Sequence, residues 1–154
     1  MSHNKAFQLL EQAIDKAIDS NSNFCYETNF NSDPMHWPEL FRQSDYRLDL
    51  NYFCLNSVPE AKKRVQIRFQ NGGHFVPNRE VEERFHAGYG NLNAYFEEFD
   101  NVHLWNTCAY NSPPVHMLSI SKGKLTTLTE WPKFMKKLVP AINRIVTEFS
   151  KRNS

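Results

Sequence analysis

Glycine is scarce in this chain, five among 154 residues, and none of it builds a phosphate loop. Gly72-Gly73 lacks a GxGxxG or GxxxxGK context and Gly88-Tyr89-Gly90 sits between helical patterns, so nucleotide hydrolysis is not expected. No GxSxG elbow supports a serine hydrolase. Cysteine is rarer still: Cys25, Cys54 and Cys108 are far apart, form no CxxC, and leave one thiol unpaired under any connectivity. Free thiols in a reducing compartment, the cytoplasm, are therefore expected. Cys54 and Cys108 lie in strand-like runs where a thiol acts as a small hydrophobe, and nothing basic flanks Cys25, so no cysteine nucleophile is expected. Long apolar runs are missing too: no stretch of 18 apolar residues exists, and "MSHNKAFQLLEQAIDKAID" lacks the apolar core of a secretory leader. A soluble chain without membrane contact follows as an expectation.

What is present is aromatic. Twelve Phe, six Tyr and three Trp, with 40% of residues in the AVILMFWYC set, predict one packed domain over 1–154 that needs neither disulfide nor metal as a staple. Net charge is only +1, yet the segments differ: −3 over 1–44, +2 over 45–70, −4 over 71–100 and +6 over 101–154. If folding keeps this segregation, one face attracts acidic partners and another repels them. The six histidines, His3, His36, His74, His86, His103 and His116, show no HxxxH or HExxH spacing. His103 and His116 fall on adjacent predicted strands near Cys108, but without ligand spacing they read as ordinary hydrogen-bonded residues, and no metal or cofactor is expected.

Along the chain, Ala6, Phe7, Leu10, Ala13, Ile14, Ala17 and Ile18 recur at helical spacing and predict an amphipathic helix over 5–19. The Asn-, Ser- and Pro-rich segment 20–44 reads as a long connection held down by Phe24, Tyr26, Phe30 and Trp37, and equally as a functional or mobile loop or as an ordered arm with a short strand near 24–29. From Asp45 the period becomes two, placing Tyr46, Leu48, Leu50, Tyr52 and Cys54 on one face and Arg47, Asp49, Asn51 and Phe53 on the other. The run "RVQIRFQNGG" alternates again, Val65, Ile67 and Phe69 against Arg64, Gln66, Arg68 and Gln70, and its Asn-Gly-Gly end predicts a tight turn into a short strand, "HFVP". A polar helix from Pro77, a break at Gly88 and Gly90, a second short helix over "NLNAYFEEF", and strands at "VHLWNTCAY" and "VHMLSIS" follow. Thr129 is placed to cap a last helix, kinked at Pro140, with Trp131, Phe134, Met135, Leu138, Ile142, Ile145, Val146 and Phe149 inward. The sum is an α+β two-layer sandwich: a mostly antiparallel sheet of about five strands with N-terminal and C-terminal helices packed on one face.

This order of helix, three-strand meander, helix and strand is similar to the core of restriction-endonuclease-like nucleases, where an Asp on one strand and an acid-x-Lys on the next hold a divalent metal. Asp49 matches the first position. Gln66-Ile67-Arg68 departs from the second, since an amide and a guanidinium replace the ligand carboxylate and the lysine, so the resemblance implies at most a degenerate, non-cutting relative. The residues favour binding instead. Arg47, Asp49 and Asn51 on one strand beside Arg64, Gln66 and Arg68 on the next would form a polar patch whose guanidiniums suit carboxylate or phosphate, with Trp37 as an aromatic member from the long arm. The expected function is a small non-catalytic interaction module, of the inhibitor, immunity or accessory kind, whose partner is another protein. The alternative is a nucleic-acid binder using Lys133, Lys136, Lys137, Arg144 and Lys151 of the last helix.

Overall fold

The computed structural model of the chain describes residues 3–154, with side chains from Lys5 onward. The first helix, α1 (His3–Asp19), forms where its periodicity predicts: Ile14 and Ala17 are buried while Glu11, Asp15, Lys16 and Asp19 stay exposed. The segment after it contains no strand at 24–29. It is held by one residue above the others. Phe30 is buried with a positive φ of 56°, its ring lies against Tyr52 and Phe99, and Asn91 Nδ2 donates to its carbonyl at 2.9 Å. The arm then closes into a short helix, α2 (His36–Gln43), which buries Pro38 and Phe41.

Strand β1 (Asp49–Cys54) keeps the expected alternation, with Asp49, Asn51 and Phe53 exposed and Cys54 buried. The strand expected over 64–70 is absent: residues Val58–Gln70 are a helix, α3. Its ends explain why. Ser57 accepts a hydrogen bond from the Glu60 N–H at 3.3 Å, and Pro59 lies in the first turn, where its missing donor costs nothing. At the other end, Gly73 N–H reaches Arg68 O at 2.8 Å and Gly72 N–H reaches Phe69 O at 3.0 Å, with Gly72 at φ 89°. That is a Schellman closure, so Asn71-Gly72-Gly73 stops a helix rather than turning a hairpin, and "HFVP" forms no strand. Helix α4 (Asn78–Tyr95) then runs unbroken through Gly88 and Gly90 into a 3-10 turn at Phe96–Glu98. Glycine at 88 serves close approach: a Cβ there would lie 2.7 Å from Tyr52 Oη and 3.2 Å from Asn29 O.

Strands β2 (Asn101–Asn106), β3 (Val115–Ser121) and β4 (Lys124–Leu128) complete a sheet of order β1-β2-β3-β4. The sheet has four strands rather than about five and is mixed rather than mostly antiparallel. β1 runs parallel to β2, because the chain between them is a helical crossover, while β2, β3 and β4 are antiparallel neighbours. The hairpin into β4 was not expected. It turns on Lys122 and Gly123, both at positive φ, the two-residue geometry whose twist suits adjoining strands. Nor is the C-terminal region one kinked helix capped by Thr129. Thr129 N–H instead bonds Met117 O at 2.8 Å, a single turn α5 (Met135–Leu138) ends at Val139, and Pro140 opens a new helix, α6 (Pro140–Arg152). The apolar residues expected inward there are buried or half-buried.

One hydrophobic cluster joins these pieces: Ile14 of α1, Phe41 of α2, Leu92 of α4 and Ile142 of α6 meet Cys54, Leu104, Leu118 and Ile120 of the sheet. α3 contributes no buried residue and packs on α4. Beneath β1, Tyr89 Oη donates to Leu55 O at 2.6 Å and accepts from Leu55 N–H at 2.8 Å. Burial raises the Cys54 thiol from 9.0 to about 12 and pushes the Tyr52 and Tyr89 hydroxyls far up as well. Below pH 9 these groups are neutral whether the chain is folded or not; above it the unfolded chain ionises its thiol first, so unfolding becomes easier as pH rises toward 12. Urea unfolding followed against pH checks this, the expected outcome being a falling midpoint above about pH 9. In the same native protein iodoacetamide should label exposed Cys25 and spare Cys54.

Candidate functional site

Three of the seven candidate binding residues meet on one surface. Arg47 Nη2 lies 2.8 Å from Asp49 Oδ2, Asp49 Oδ1 accepts from Asn101 Nδ2 at 2.7 Å, and Asn51 Oδ1 accepts from the Trp105 indole at 2.9 Å. These cross-strand bonds follow the register, in which Asp49, Asn51 and Phe53 stand beside Asn101, His103 and Trp105. The helices cover the other side of the sheet, where Val102, Leu104, Leu118 and Ile120 are buried. The uncovered side is thus polar with a large aromatic in it: Phe53 is 58% exposed.

Arg64, Gln66 and Arg68 do not lie beside them. They sit on α3, and each meets a different fate. Arg64 is held inward, its Nε 2.9 Å from Glu60 Oε1, its Nη2 donating to Cys108 O at 3.0 Å, and its guanidinium over the Tyr110 ring. Gln66 is exposed and makes no side-chain hydrogen bond among the described residues, and Arg68, also exposed, meets no carboxylate there. Trp37 is half-buried between His36 and Phe7, with ring centroids 4.4 and 5.5 Å away, and so belongs to the junction of α1 and α2.

In the middle of the uncovered face the sequence reading placed His103 and His116 on adjacent strands but missed Ser119, which joins them. Ser119 Oγ lies 2.7 Å from His103 Nδ1 and 2.8 Å from His116 Nε2, while His116 Nδ1 lies 2.8 Å from Thr129 Oγ1. The Trp105 ring stands edge-on to His116 at 5.3 Å. The alternation of "VHLWN", which turns His103 and Trp105 to the same side as Asn51, was the available signal. A serine between imidazoles has the spacing of a nucleophile and its base. Here, however, Ser119 sits mid-strand between His103 and Thr127 in the ladder, and its bonds to both imidazoles order this face of the sheet.

Asp49 has a guanidinium and an amide for neighbours, not other acids, and no group of three or more His, Cys, Asp or Glu among the described residues is arranged to hold a metal ion. The side chain of His3 lies outside the described residues. With α3 in place of the second strand, the meander on which the nuclease resemblance rested is absent. Comparisons with known protein families, with curated proteins and with solved structures find no match. No helix of the described residues is long and apolar enough to cross a membrane.

Because Arg64 ties α3 to the loop after β2, Arg64→Ala should lower unfolding free energy by about 1.5–3 kcal/mol, the scale of a charge-assisted hydrogen bond, whereas Gln66→Ala should stay within about 0.5 kcal/mol. Urea titration of the two variants distinguishes a structural arginine from an exposed glutamine on the same helix. Equal stabilities would contradict the assignment.

Proposed function

We propose that this chain is a non-catalytic interaction module that docks another protein on the uncovered face of its sheet, in the manner of an inhibitor, immunity-type or accessory factor. The observation that carries the reading is Phe53, a large aromatic left 58% exposed amid Asp49, Asn51, Trp105 and His116, whose side chains are already fixed by hydrogen bonds. Burying a Phe side chain fully stabilises by roughly 1.5–3 kcal/mol, so folding leaves part of that gain for a partner to collect. Preordered polar neighbours lower the entropy lost on docking and set register, as at the centre of protein interfaces. Arg47, at the edge of this face, adds a rim charge. Three free thiols fit a reducing compartment such as the cytoplasm.

A second reading has its own observation. Every ion pair of the described residues lies before residue 99, while the eight Lys and Arg side chains beyond residue 120, among them Lys133, Lys136, Lys137, Arg144 and Lys151, meet no carboxylate within 4.0 Å. Unpaired cations in one third of the chain suit phosphate groups, which supports nucleic-acid binding through the α5–α6 region.

Affinity purification of tagged wild type, Phe53→Asp and Lys136→Glu from cells that express the chain separates the two. The interaction reading expects one co-eluting protein, retained by Lys136→Glu and reduced at least about tenfold by Phe53→Asp, a loss of about 1.4 kcal/mol or more. Recovery of the same protein by Phe53→Asp would refute docking on the sheet. Nucleic acid that is released by salt and lost with Lys136→Glu would establish the second reading in its place.

A further inference from the structure

We infer that the cleft between α3 and α4 is a second recognition site, separate from the sheet face, which takes an acidic peptide of a partner protein with one aromatic or branched aliphatic side chain as its anchor. The cleft holds about 210 Å³ and is lined by Ala61 and Val65 of α3, Val81 and Phe85 of α4, Val76 and Asn29, with Arg68 and Arg84 at its rim. That volume falls below the roughly 300 Å³ at which small-molecule and cofactor pockets begin, and it matches a single side chain.

The wall is apolar, but the rim carries unbalanced positive charge. Arg84 is bonded to Glu80, Arg79 to Glu83 and Lys62 to Glu82, so those cations of α3 and α4 are compensated. Arg68, on the rim itself, has no such partner among the described residues. The planar guanidinium of Arg68 is thus free for a carboxylate brought by a ligand.

Helical spacing extends the site beyond the cleft. Ala61, Val65, Arg68 and Phe69 recur at intervals of four, three and one along α3, and Phe69, 48% exposed, stands edge-on to Phe75, 68% exposed, with centroids 5.4 Å apart. Phe75 adjoins the lining residue Val76. An anchor pocket continued by an aromatic pair and bordered by a free arginine is longer than a free aromatic acid would use, which selects a peptide as occupant.

The test is a nitrogen-15 NMR titration of the full chain with the capped tripeptide acetyl-Asp-Phe-Asp-amide. The expected result is shift changes confined to the residues lining the cleft and to the Phe69–Phe75 pair beside it, with affinity reduced at least about tenfold in Arg68→Glu and lost in Ala61→Trp, which fills the cleft. Equal binding of acetyl-Asn-Phe-Asn-amide, unchanged affinity in Arg68→Glu, or shifts located elsewhere would overturn the proposal. Equally tight binding of phenylacetate would overturn the peptide as occupant, and cleft shifts that follow protein concentration without peptide would assign the cleft to a second copy of the chain. Residue 53 takes no part in this titration, so its failure leaves docking on the sheet untouched.

Discussion

The parallel pairing of β1 with β2 is the constraint from which the rest of the architecture follows. Both ends of the pair are stapled. At the start, Leu48 N–H donates to the Asp100 carboxylate at 2.8 Å while Asp100 N–H donates back to Leu48 O at 2.9 Å. At the finish, the Thr107 N–H and hydroxyl both reach Cys54 O, at 2.9 and 2.8 Å. A parallel pair requires a crossover, and α3 with α4 supplies it. The crossover puts α4 against the sheet, α6 packs beside it, and the buried faces of β1, β2 and β3 all turn to that one layer. The opposite face is then left uncovered, and its residue types are those water tolerates, Asp49, Asn51, Asn101, His103 and Ser119, with the aromatics Phe53 and Trp105 as the exceptions.

Much of this was legible in the sequence where one period dominated. The helical spacing of α1 and the alternation from Leu48 to Cys54 both gave the right element; the alternation also gave the right buried face, whereas in α1 Ile14 and Ala17 are buried but Ala6, Phe7 and Ala13 of the same stripe are exposed. The reading failed over 58–73, where two patterns coexist. Val65, Ile67 and Phe69 alternate as in a strand, yet Ala61, Val65 and Phe69 also repeat every four residues, and the local chemistry decides between them. Ser57 with Glu60, Pro59 in the first turn, and Asn71-Gly72-Gly73 as a stop are helix signals at both ends. Misreading that helix as a strand created the meander, hid the parallel crossover and placed Arg64 and Arg68 beside Asp49. Gly88 misled in a different way: its meaning is the 2.7 Å approach of Tyr52, a tertiary fact that no local pattern records.

Of the candidate site, Arg47, Asp49 and Asn51 were found because alternation alone puts them on one side. Phe53, on that same side, was read as part of the pattern and not weighed as an exposed aromatic. His103, His116 and Ser119 come together only through the β2–β3 register, including the irregularity between Leu104 and Trp105 that brings His116 level with Trp105. Registers of that kind are set by the hairpin and not by composition. The ion pairs of the described residues all fall in the first two thirds of the chain, while the cations of the last third meet no carboxylate within 4.0 Å.

The central claim is that one sheet face is sealed by helices and the other meets solvent. Solvent paramagnetic relaxation with a soluble gadolinium chelate measures this directly, residue by residue. The account predicts strong broadening of side-chain signals from Phe53, Trp105 and Thr127 together with sharp signals from Leu104, Leu118 and Ile120. Phe53 and Trp105 as well protected as Leu104 would contradict it, because both faces of the sheet would then be covered.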